Sequence, residues 1–304
     1  MTEDLWQLSD GGLVAPPIEG PVAVIQAVYA GDDPRFLRES LLSLERQSVG
    51  IENIHIYLGV DGPVSSEING VIEEHERFLY RIIRSAARRG LAATLKGLID
   101  ALEDEEFVFR MDSDDISHRE RFERQRDYLI ANATVLALGT ATEEIDHSGI
   151  RRARRIYPPA GSGIVRYVAR ASPLAHPRVC FRRTFFDKAG AYDDRHGVNE
   201  DIELWFRALE LGVELGSIPV VLYQIRVGPG YYRRRGSGKA KAEFLVYWCG
   251  IRRLHGWSLL LIWPVIRLFL RLTPGSVTRW LYQSRLRAWF LNRPSSKKIR
   301  HTVS

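Results

Sequence analysis

Short apolar runs alternate with amphipathic helical segments over the first third of the chain, and this alternation constrains the fold more than any other feature. The apolar runs are of strand length and rich in β-branched and aromatic residues, whereas the segments between them repeat apolar residues at helical spacing. The predicted elements are the strands Val22–Val28, Ile54–Val60, Tyr80–Ile83 and Phe107–Met111 and the helices Pro34–Gln47, Ile68–Leu79 and Gly90–Leu102. Strands joined by crossover helices form a parallel sheet, so the pattern predicts an α/β fold.

The alternation is less regular in the remainder of the chain. The predicted elements there are the helices Arg119–Ile130, Thr184–Ala189 and Asn199–Leu211 and the strands Thr134–Thr142, Val179–Phe181 and Val220–Val227. The segment Ile145–Gly163 is rich in arginine and is predicted to be a basic, solvated loop.

A group of acids follows the strand Phe107–Met111 directly, as Asp112-Ser-Asp114-Asp115. Residues two apart in an extended chain point to the same side, so Asp112 and Asp114 are predicted to converge and Asp115 to face elsewhere. Convergent carboxylates repel each other unless a cation lies between them, and Mg²⁺ and Mn²⁺ prefer such oxygen ligands. The motif predicts a divalent metal site, although an acidic turn that caps the next helix is an equally good explanation of so short a match.

Polar residues also end the first two predicted strands. Tyr29 and Asp32 follow the first strand, and Asp61 follows the second. Because ligands of α/β sheets bind beyond the carboxyl ends of the strands, these residues are predicted to lie near Asp112. Each has a plainer interpretation, since Tyr29 is consistent with packing, Asp32 with capping of the helix at Pro34, and Asp61 with an ordinary Asp-Gly turn.

The charge of the chain is distributed unevenly. The net charge is +6, but from Arg226 onward seventeen Lys and Arg stand against one acid, Glu243. The preceding part carries 26 Lys and Arg against 36 Asp and Glu and is therefore acidic. This asymmetry predicts a polyanionic partner for the basic end, either a membrane surface or a nucleic acid.

The most apolar stretch, Trp257–Leu270, lies within this basic end. Its length is about fourteen residues, below the roughly twenty that span a bilayer, and Pro264 and Arg267 interrupt it. Further aromatic residues lie among arginines beyond it, at Trp280, Tyr282, Trp289 and Phe290. This composition favours an interfacial helix on anionic lipid, and the alternative is a helical cap that packs on the body of the protein.

Two features indicate the compartment. The two cysteines, Cys180 and Cys249, have neither metal-ligand spacing nor the pattern of a disulfide framework, so a reducing cytoplasmic setting is expected. Residues 1–20 lack the basic start and apolar run of a secretory signal. With the basic end, these features predict a cytoplasmic protein that is peripheral on the inner face of the cell membrane.

Eight short motifs follow one another in order over residues 22–227. They are Val28-Tyr29, the Pro34 helix that ends in Gln47, Val60-Asp61-Gly62, Gly90-Leu91-Ala92, Arg110–Ser117 with Arg124-Gln125, His176-Pro177, Gly190–Asp193, and Asn199–Arg207. Each motif alone is weak, but together, at these spacings, they resemble family 2 glycosyltransferases, the inverting nucleotide-sugar enzymes with a GT-A fold. The segment from Arg226 to Arg235 further resembles a bacterial branch that builds exopolysaccharide and surface-polysaccharide repeat units.

The resemblance implies a GT-A fold, a Rossmann-like mixed sheet flanked by helices, over residues 1–227. Residues 228–304 would then form a basic amphipathic helical extension that associates with the membrane. The implied activity is inverting transfer of a sugar from a nucleoside-diphosphate sugar to a hydroxyl acceptor, in polysaccharide biosynthesis. The acceptor would be a polyprenyl-linked glycan, and the cofactor Mn²⁺ or Mg²⁺.

The resemblance also assigns roles to particular residues. Tyr29, Asp32 and Asp61 would bind the nucleotide, Asp112 would contact the ribose or a metal-bound water, and Asp114 would ligate the cation. Asp201 would be the general base, with Glu200 as the second candidate, because a positioned carboxylate can take the proton of an attacking hydroxyl. Acids at a helix start are also common for capping and dipole reasons. His176 would shape the acceptor side.

Two residues depart from the family pattern. Lys96 stands where relatives often have Asn, and Arg226 lies near where many carry a His that helps to hold the metal or the diphosphate. Because an arginine binds a diphosphate but not a cation, metal affinity is expected to be weaker than usual.

Three alternatives compete with this interpretation. A sugar nucleotidyltransferase would need a basic, glycine-rich phosphate loop after the first strand, and Tyr29–Asp33 lacks the basic residues. A non-catalytic nucleic-acid or polyanion-binding protein would use the basic end, but its aromatics sit in apolar runs that favour lipid over bases. A catalytically silent relative is disfavoured because the acids Asp112, Asp114, Glu200 and Asp201 are all present.

Overall fold

A mixed sheet flanked by helices forms the core of the computed structural model, which describes residues 20–161, 163–228 and 240–272 without the side chains of 196–198 and 270–272. The strands are β1 (Val22–Tyr29), β2 (Ile54–Asp61), β3 (Leu79–Arg84), β4 (Phe107–Asp112), β5 (Ile116–Ser117), β6 (Val135–Ile145), β7 (Arg151–Arg155), β8 (Cys180–Arg182) and β9 (Glu214–Arg226). The helices are α1 (Pro34–Glu45), α2 (Ser66–His75), α3 (Leu91–Asp100), α4 (Arg121–Ala131), α5 (Gly163–Tyr167), α6 (Thr184–Ala189), α7 (Glu200–Glu210), α8 (Ala240–His255) and α9 (Ile262–Leu272). The strand order is β3-β2-β1-β4-β8-β6-β9-β5, with β7 paired to β6.

The first four strands are parallel, as the sequence alternation predicts. β1 lies between β2 and β4 and runs parallel to both, and β3 runs parallel to β2. Alternate residues of β1 enter different apolar clusters, Ala23 and Ile25 in one and Val22 and Val24 in the other. Because successive side chains of a strand point to opposite faces, both faces of the sheet are covered by packed side chains.

Helix α1 begins as the sequence predicts. The Asp33 side chain accepts a hydrogen bond from the Arg35 backbone N–H at 2.9 Å, and Pro34 occupies the first helical position. The predicted apolar face is buried. Its residues, among them Leu37 and Leu41, pack in the same apolar cluster as residues of the strands.

Two secondary-structure predictions in the second half of the chain were wrong. Residues Arg151–Arg155, predicted as loop, form β7 and pair antiparallel with β6, and both Arg151 and Arg154 lie 3.1 Å from Glu143. The strand β9 begins at Glu214, before Pro219, rather than at Val220. Pairing with β6 shifts register at that point, which accommodates a residue without a backbone N–H.

Helix α8 packs directly on the body of the protein. Its Tyr247 and Ile251 are buried in the same apolar cluster as Phe206 of α7, and the rings of Phe206 and Tyr247 meet edge to face at 5.7 Å. A Cβ atom at Gly250 would overlap the Phe206 ring, so this glycine permits the close approach of the two helices.

Helix α9 is tied to α8 and to the body. Arg267 lies 2.9 Å from Glu243, donates to the Arg170 carbonyl at 2.6 Å and stacks on Tyr247. Among the described helices, none combines the length and the hydropathy needed to cross a membrane. The predictions for Tyr231–Arg235 and for the aromatics from Trp280 to Phe290 lie outside the described residues.

Candidate active site

Strand register brings three of the predicted site residues to one edge of the sheet. Tyr29 at the end of β1 is opposite Asp61 at the end of β2. Asp112 at the end of β4 is opposite Ala27 of β1. The polar ends of these strands therefore form a single surface, as expected of a parallel sheet.

Three carboxylates gather at the end of β4. Ligand oxygens of Asp112, Asp114 and Asp115 all lie within 4.8 Å of one another, and we call them the carboxylate cluster. The prediction that Asp115 faces elsewhere was wrong. The strand ends at Asp112 and the chain turns at Ser113, so the alternation of an extended chain no longer applies to Asp115.

The donor set of the carboxylate cluster fits a hard divalent cation. Asp115 is buried, its Oδ1 accepts from the Arg226 backbone N–H at 2.8 Å, and its Oδ2 meets no hydrogen-bond donor within the described residues. Burial and the charges of Asp114 and Asp112 raise the pKa of Asp115 well above its usual value. A bound cation would relieve this repulsion, and carboxylate oxygens are the ligands that Mg²⁺ and Mn²⁺ prefer.

The backbone of Asp112 is held from three sides. Its carbonyl accepts from Gln26 Nε2 at 3.1 Å and from the Ser40 hydroxyl at 2.9 Å. Its N–H donates to the hydroxyl of the buried Tyr223 at 3.2 Å. These side chains come from β1, α1 and β9, so the cluster is fixed by three separate elements.

Asp32 connects the end of β1 to the acidic turn, the residues Asp112–Asp115 that follow β4. Its Oδ2 accepts from the Tyr29 N–H at 3.0 Å and from the Ser113 hydroxyl at 2.8 Å. The Arg88 guanidinium lies over the Tyr29 ring at 4.5 Å, which makes a cation–π contact at the predicted nucleotide pocket. Tyr29 is half-buried, so part of its ring remains accessible.

Asp61 organises the loop before α3. Its Oδ1 accepts from the Arg89 N–H at 2.6 Å and its Oδ2 from the Gly90 N–H at 2.9 Å. Gly62 next to it has φ +83°, a conformation that glycine adopts without strain. Each oxygen of Asp61 keeps a second lone pair, so the carboxylate could still accept a hydrogen bond from a ligand.

Arg226 contacts the backbone of the acidic turn. Its side chain donates to the Asp114 carbonyl at 3.0 Å, forms an ion pair with Glu39, and stacks over Phe36 at 4.0 Å. The residue is buried, and its guanidinium lies beside the backbone of the predicted metal ligand.

The second acidic site is the pair Glu200 and Asp201 at the start of α7. Glu200 is buried and Asp201 is half-buried. Burial and the adjacent Asp201 raise the pKa of Glu200 to about 7, although Arg110 acts in the opposite direction. A carboxyl group that titrates near neutrality is suited to proton transfer.

Arg110 and Tyr192 interact electrostatically with both acidic sites. Arg110 is buried in β4 and forms an ion pair with Asp112. Burial raises the pKa of Tyr192, and the charges of Glu200, Asp201 and Asp112 raise it further. Carboxylates from the strand edge and from α7 therefore act electrostatically on the same buried tyrosine.

His176 is a buried partner of Tyr192. Its Nε2 lies 2.6 Å from the Tyr192 hydroxyl, and burial together with Arg110 lowers the pKa of its imidazole well below the usual value. The neutral imidazole thus holds the Tyr192 hydroxyl in place.

Sequence reasoning assigned no role to Arg110 or Tyr192. The available signal for Arg110 was a charged residue inside the otherwise apolar run Phe107–Met111. Such a residue needs a buried partner, which here is Asp112.

A polar cleft of about 630 Å³ lies between α3, α7 and α8. The residues that line this polar cleft are Arg89, Ala93, Lys96, Gly97, Asp100, Ala191, Tyr192, Asp193, Asp194, Arg195, Glu203, Arg207 and Arg253. Tyr192 is the residue that His176 contacts, and Arg89 belongs to the loop that Asp61 holds.

The sheet and its flanking helices have the GT-A fold. A mannosyltransferase from Pyrobaculum calidifontis, solved with GDP-Man and Mn²⁺, aligns with a TM-score of 0.62 at 17% identity, covering 90% of this chain and 84% of that one. Staphylococcus aureus TarS 1–349, solved with UDP, aligns with a TM-score of 0.58 at 14% identity, covering 90% and 76%. Both comparisons concern the fold alone.

The sequence identifies the family. Residues 24–190 match the sequence model of the family described as glycosyl transferase family 2. The chain belongs to that family. An Escherichia coli UDP-Gal:alpha-D-GlcNAc-diphosphoundecaprenol beta-1,3-galactosyltransferase is 30% identical over 272 residues, 87% of this chain and 96% of that protein. The Erwinia amylovora amylovoran biosynthesis glycosyltransferase AmsE is 30% identical over 264 residues, 86% and 97% of the two chains. The protein is therefore a glycosyltransferase.

Proposed function

We propose that this enzyme transfers a sugar, with inversion, from a nucleoside-diphosphate sugar to a hydroxyl group of a polyprenyl-diphosphate-linked glycan in polysaccharide biosynthesis. The observation that carries the proposal is the carboxylate cluster at the carboxyl end of β4, where oxygens of Asp112, Asp114 and Asp115 lie within 4.8 Å of one another. A named substrate of the similar E. coli enzyme, a diphosphoundecaprenol-linked sugar, supports the acceptor class.

The carboxylate cluster would hold the cation. Asp114 is proposed as the main ligand, with Asp112 beside it and Asp115 within reach. When bound, Mn²⁺ or Mg²⁺ would offset the negative charge that develops on the leaving diphosphate. Arg226 supports this arrangement by donating a hydrogen bond to the Asp114 carbonyl, while its charge is paired with Glu39.

The nucleotide is proposed to bind along the ends of β1 and β2. Tyr29 would pack against the base or the ribose, and Asp61 would accept a hydrogen bond from one of them. Asp32 holds Tyr29 and Ser113 in place and lines the same pocket. Asp112 would contact the ribose or a metal-bound water.

Asp201 is proposed as the general base. Its carboxylate would take the proton of the acceptor hydroxyl while the hydroxyl oxygen attacks the anomeric carbon. The attack comes from the side opposite the diphosphate, so the carbon–oxygen bond to the nucleotide breaks as the new bond forms and the configuration inverts. Glu200, whose pKa lies near 7, is the second candidate for the base.

A thermal-shift panel tests the donor part of the proposal. Purified protein is heated with UDP, GDP, ADP, CDP and dTDP, each with Mn²⁺ and with EDTA. Ligands that bind only the folded state raise the unfolding temperature, so one base is expected to stabilise the protein in Mn²⁺ alone. If no nucleotide shifts the transition under either condition, the proposed donor class is wrong.

We also propose that the C-terminal helices bind the inner face of the membrane. Five large apolar residues are exposed after the end of α8, at Trp257 (75%), Leu259 (94%), Ile262 (54%), Ile266 (38%) and Phe269 (66%), and we call them the apolar patch. Four of them recur at intervals of three and four residues, so they lie along one side of the helical segment. Arg252, which stacks on Trp257 at 4.1 Å, supplies a charge suited to anionic lipid.

A further inference from the structure

The Arg110 side chain lies on the face of the sheet against which α7 packs. Among the residues of β4, Val108 belongs to the apolar cluster that includes Trp205 of α7, whereas Phe109 belongs to the other cluster. Successive side chains of a strand alternate, so Arg110 and Asp112 point to the same face as Val108. Arg110 is therefore enclosed within the strand, while Asp112 ends the strand at the site.

The ion pair between Arg110 and Asp112 joins a buried group to an accessible one. The Arg110 side chain is 1% exposed, whereas the Asp112 side chain is 36% exposed. Arg110 Nη2 contacts Asp112 Oδ1, so the guanidinium holds the carboxylate from its inner side and the outer side stays accessible to a ligand. Because Arg110 itself is out of reach of a ligand, any effect it has on binding is exerted through Asp112.

The stability of the fold does not account for an arginine at this position. Within the described residues, Arg110 Nε and Nη1 meet no hydrogen-bond acceptor, and Asp112 is the only acid with which Arg110 forms an ion pair. Unpaired buried donors cost free energy, and apolar residues of similar volume often replace buried ion pairs without loss of stability. A residue that costs stability and holds an accessible carboxylate is expected to serve ligand binding.

The charge of Arg110 distinguishes Asp112 from another member of the carboxylate cluster. The negative charge of Asp112 is balanced by the guanidinium, whereas Asp115 Oδ2 meets no donor in the part of the chain that the structure describes. A divalent cation is repelled by a neighbouring guanidinium and binds best to carboxylates whose charge is not yet balanced. Asp112 therefore contributes less to a cation site than its position in the cluster suggests.

We infer that Arg110 is a positioning residue that assigns Asp112 to the nucleotide and not to the cation. The ion pair fixes the direction of the carboxylate so that its accessible oxygen accepts a hydrogen bond from a ribose hydroxyl. The charge of Arg110 leaves the cation to Asp114 and Asp115. This role rests on the proposed function, in which Asp112 contacts the ribose or a metal-bound water, and of these two partners it selects the ribose.

Opposite changes in two affinities test this role. Full-length Arg110→Met keeps a long side chain without its charge, and the control Arg182→Met removes an arginine that pairs with Glu106 beside the other end of β4. Calorimetry at saturating Mn²⁺ measures affinity for the nucleoside diphosphate that the thermal-shift panel selects, and the paramagnetic resonance of free Mn²⁺ measures binding of the ion alone. Arg110→Met should bind the nucleotide about tenfold more weakly, because the ribose loses an oriented acceptor. It should bind Mn²⁺ at least about twofold more tightly, because a positive charge is removed. Arg182→Met should match wild type in both affinities.

Three further measurements separate positioning from loss of structure. In the Asp112→Asn background, Arg110→Met should change nucleotide affinity by less than about twofold, because the carboxylate that Arg110 positions is already absent. The urea midpoint of Arg110→Met should be no lower than that of wild type, since the substitution removes unpaired buried donors. Arg110→Lys, which keeps the charge without the planar guanidinium, should bind Mn²⁺ as wild type does.

A purely structural Arg110 would give a different set of results. Loss of both affinities in Arg110→Met, or equal losses of nucleotide affinity in the wild-type and Asp112→Asn backgrounds, would overturn the positioning role. Unchanged nucleotide affinity or unchanged Mn²⁺ affinity in Arg110→Met would overturn it as well. Wild-type protein that binds no nucleoside diphosphate would instead contradict the proposed function itself.

Discussion

Asp114 is the residue on which cation binding should depend most. Asp114→Asn removes one negative charge from a cluster whose oxygens lie within 4.8 Å of one another, so Mn²⁺-dependent affinity for the nucleotide should fall more than tenfold. Calorimetric titration of the nucleoside diphosphate with and without Mn²⁺ measures this loss. Asp127→Asn, an exposed acid on α4, is the control and should bind as wild type does. Unchanged Mn²⁺ dependence in Asp114→Asn would remove Asp114 from the metal site.

Glu200 is expected to impose a pH dependence on transfer. With a pKa of about 7, its carboxyl is mainly protonated below pH 7 and ionised above it. Ionisation adds negative charge next to Asp201 and strengthens that carboxylate as a base, so kcat/KM should rise through pH 7. Glu200→Gln should lose this step. A step near pH 7 that persists in Glu200→Gln would show that another group titrates there.

At single residues, the sequence was informative where chain geometry is regular and uninformative where it is not. Tyr29, Asp61 and Asp112 were predicted to share an edge because strand ends in a parallel sheet must do so. Asp115 was misplaced because the chain turns directly before it, and side-chain direction in a turn does not follow alternation. Arg110 was missed because its partner becomes evident only when the side chains are in place.

The contact between α7 and α8 gives a prediction at the level of elements. A methyl group at Gly250 would overlap the Phe206 ring, so Gly250→Ala should destabilise the fold by about 1–3 kcal/mol through overpacking, despite its better helix propensity. Gly70→Ala in α2 is a matched control, because nothing lies within 4 Å of its added methyl group. This control should stabilise the protein by about 0.4–1 kcal/mol.

Urea unfolding of the two glycine variants provides the measurement. The expected order of stability is Gly70→Ala, wild type and then Gly250→Ala. A Gly250→Ala protein as stable as wild type would mean that α8 does not pack tightly on α7.

Among the elements, those with strong periodicity were predicted well and those that depend on partners were not. β1 to β4 and α1 follow from apolar periodicity and from the cap at Asp33. β7 has an arginine-rich sequence that resembles a loop, and it forms a strand because β6 offers backbone partners and Glu143 pairs with Arg151 and Arg154. β9 passes through Pro219, which the sequence rules treat as a strand boundary.

The packing of α8 into the core of the molecule determines how membrane binding can be tested. A truncation after Val227 would also remove α8, whose Tyr247 and Ile251 are buried in the core, so loss of binding would not be distinguished from misfolding. Leu259→Ser and Phe269→Ser instead change exposed side chains and leave that core intact.

Flotation with phosphatidylglycerol vesicles measures the effect of these substitutions. Each lost apolar contact should weaken vesicle binding, because burial of a large apolar side chain contributes about 1.5–3 kcal/mol. Leu211→Ser, an exposed leucine at the end of α7, is the control and should float as wild type does. Equal flotation of all four proteins would exclude the apolar patch as the membrane contact.

The central claim is that one site joins a nucleotide held at the strand edge to a base on α7. Single-turnover transfer by Asp201→Asn, with donor affinity measured in parallel, tests it most directly. The account predicts that donor affinity stays within about twofold of wild type, since Asp201 lies outside the carboxylate cluster, while the transfer rate falls by about 10²–10⁴-fold. A variant that transfers at a near-normal rate, or that loses donor binding and rate together, would contradict the assignment of Asp201 as the base.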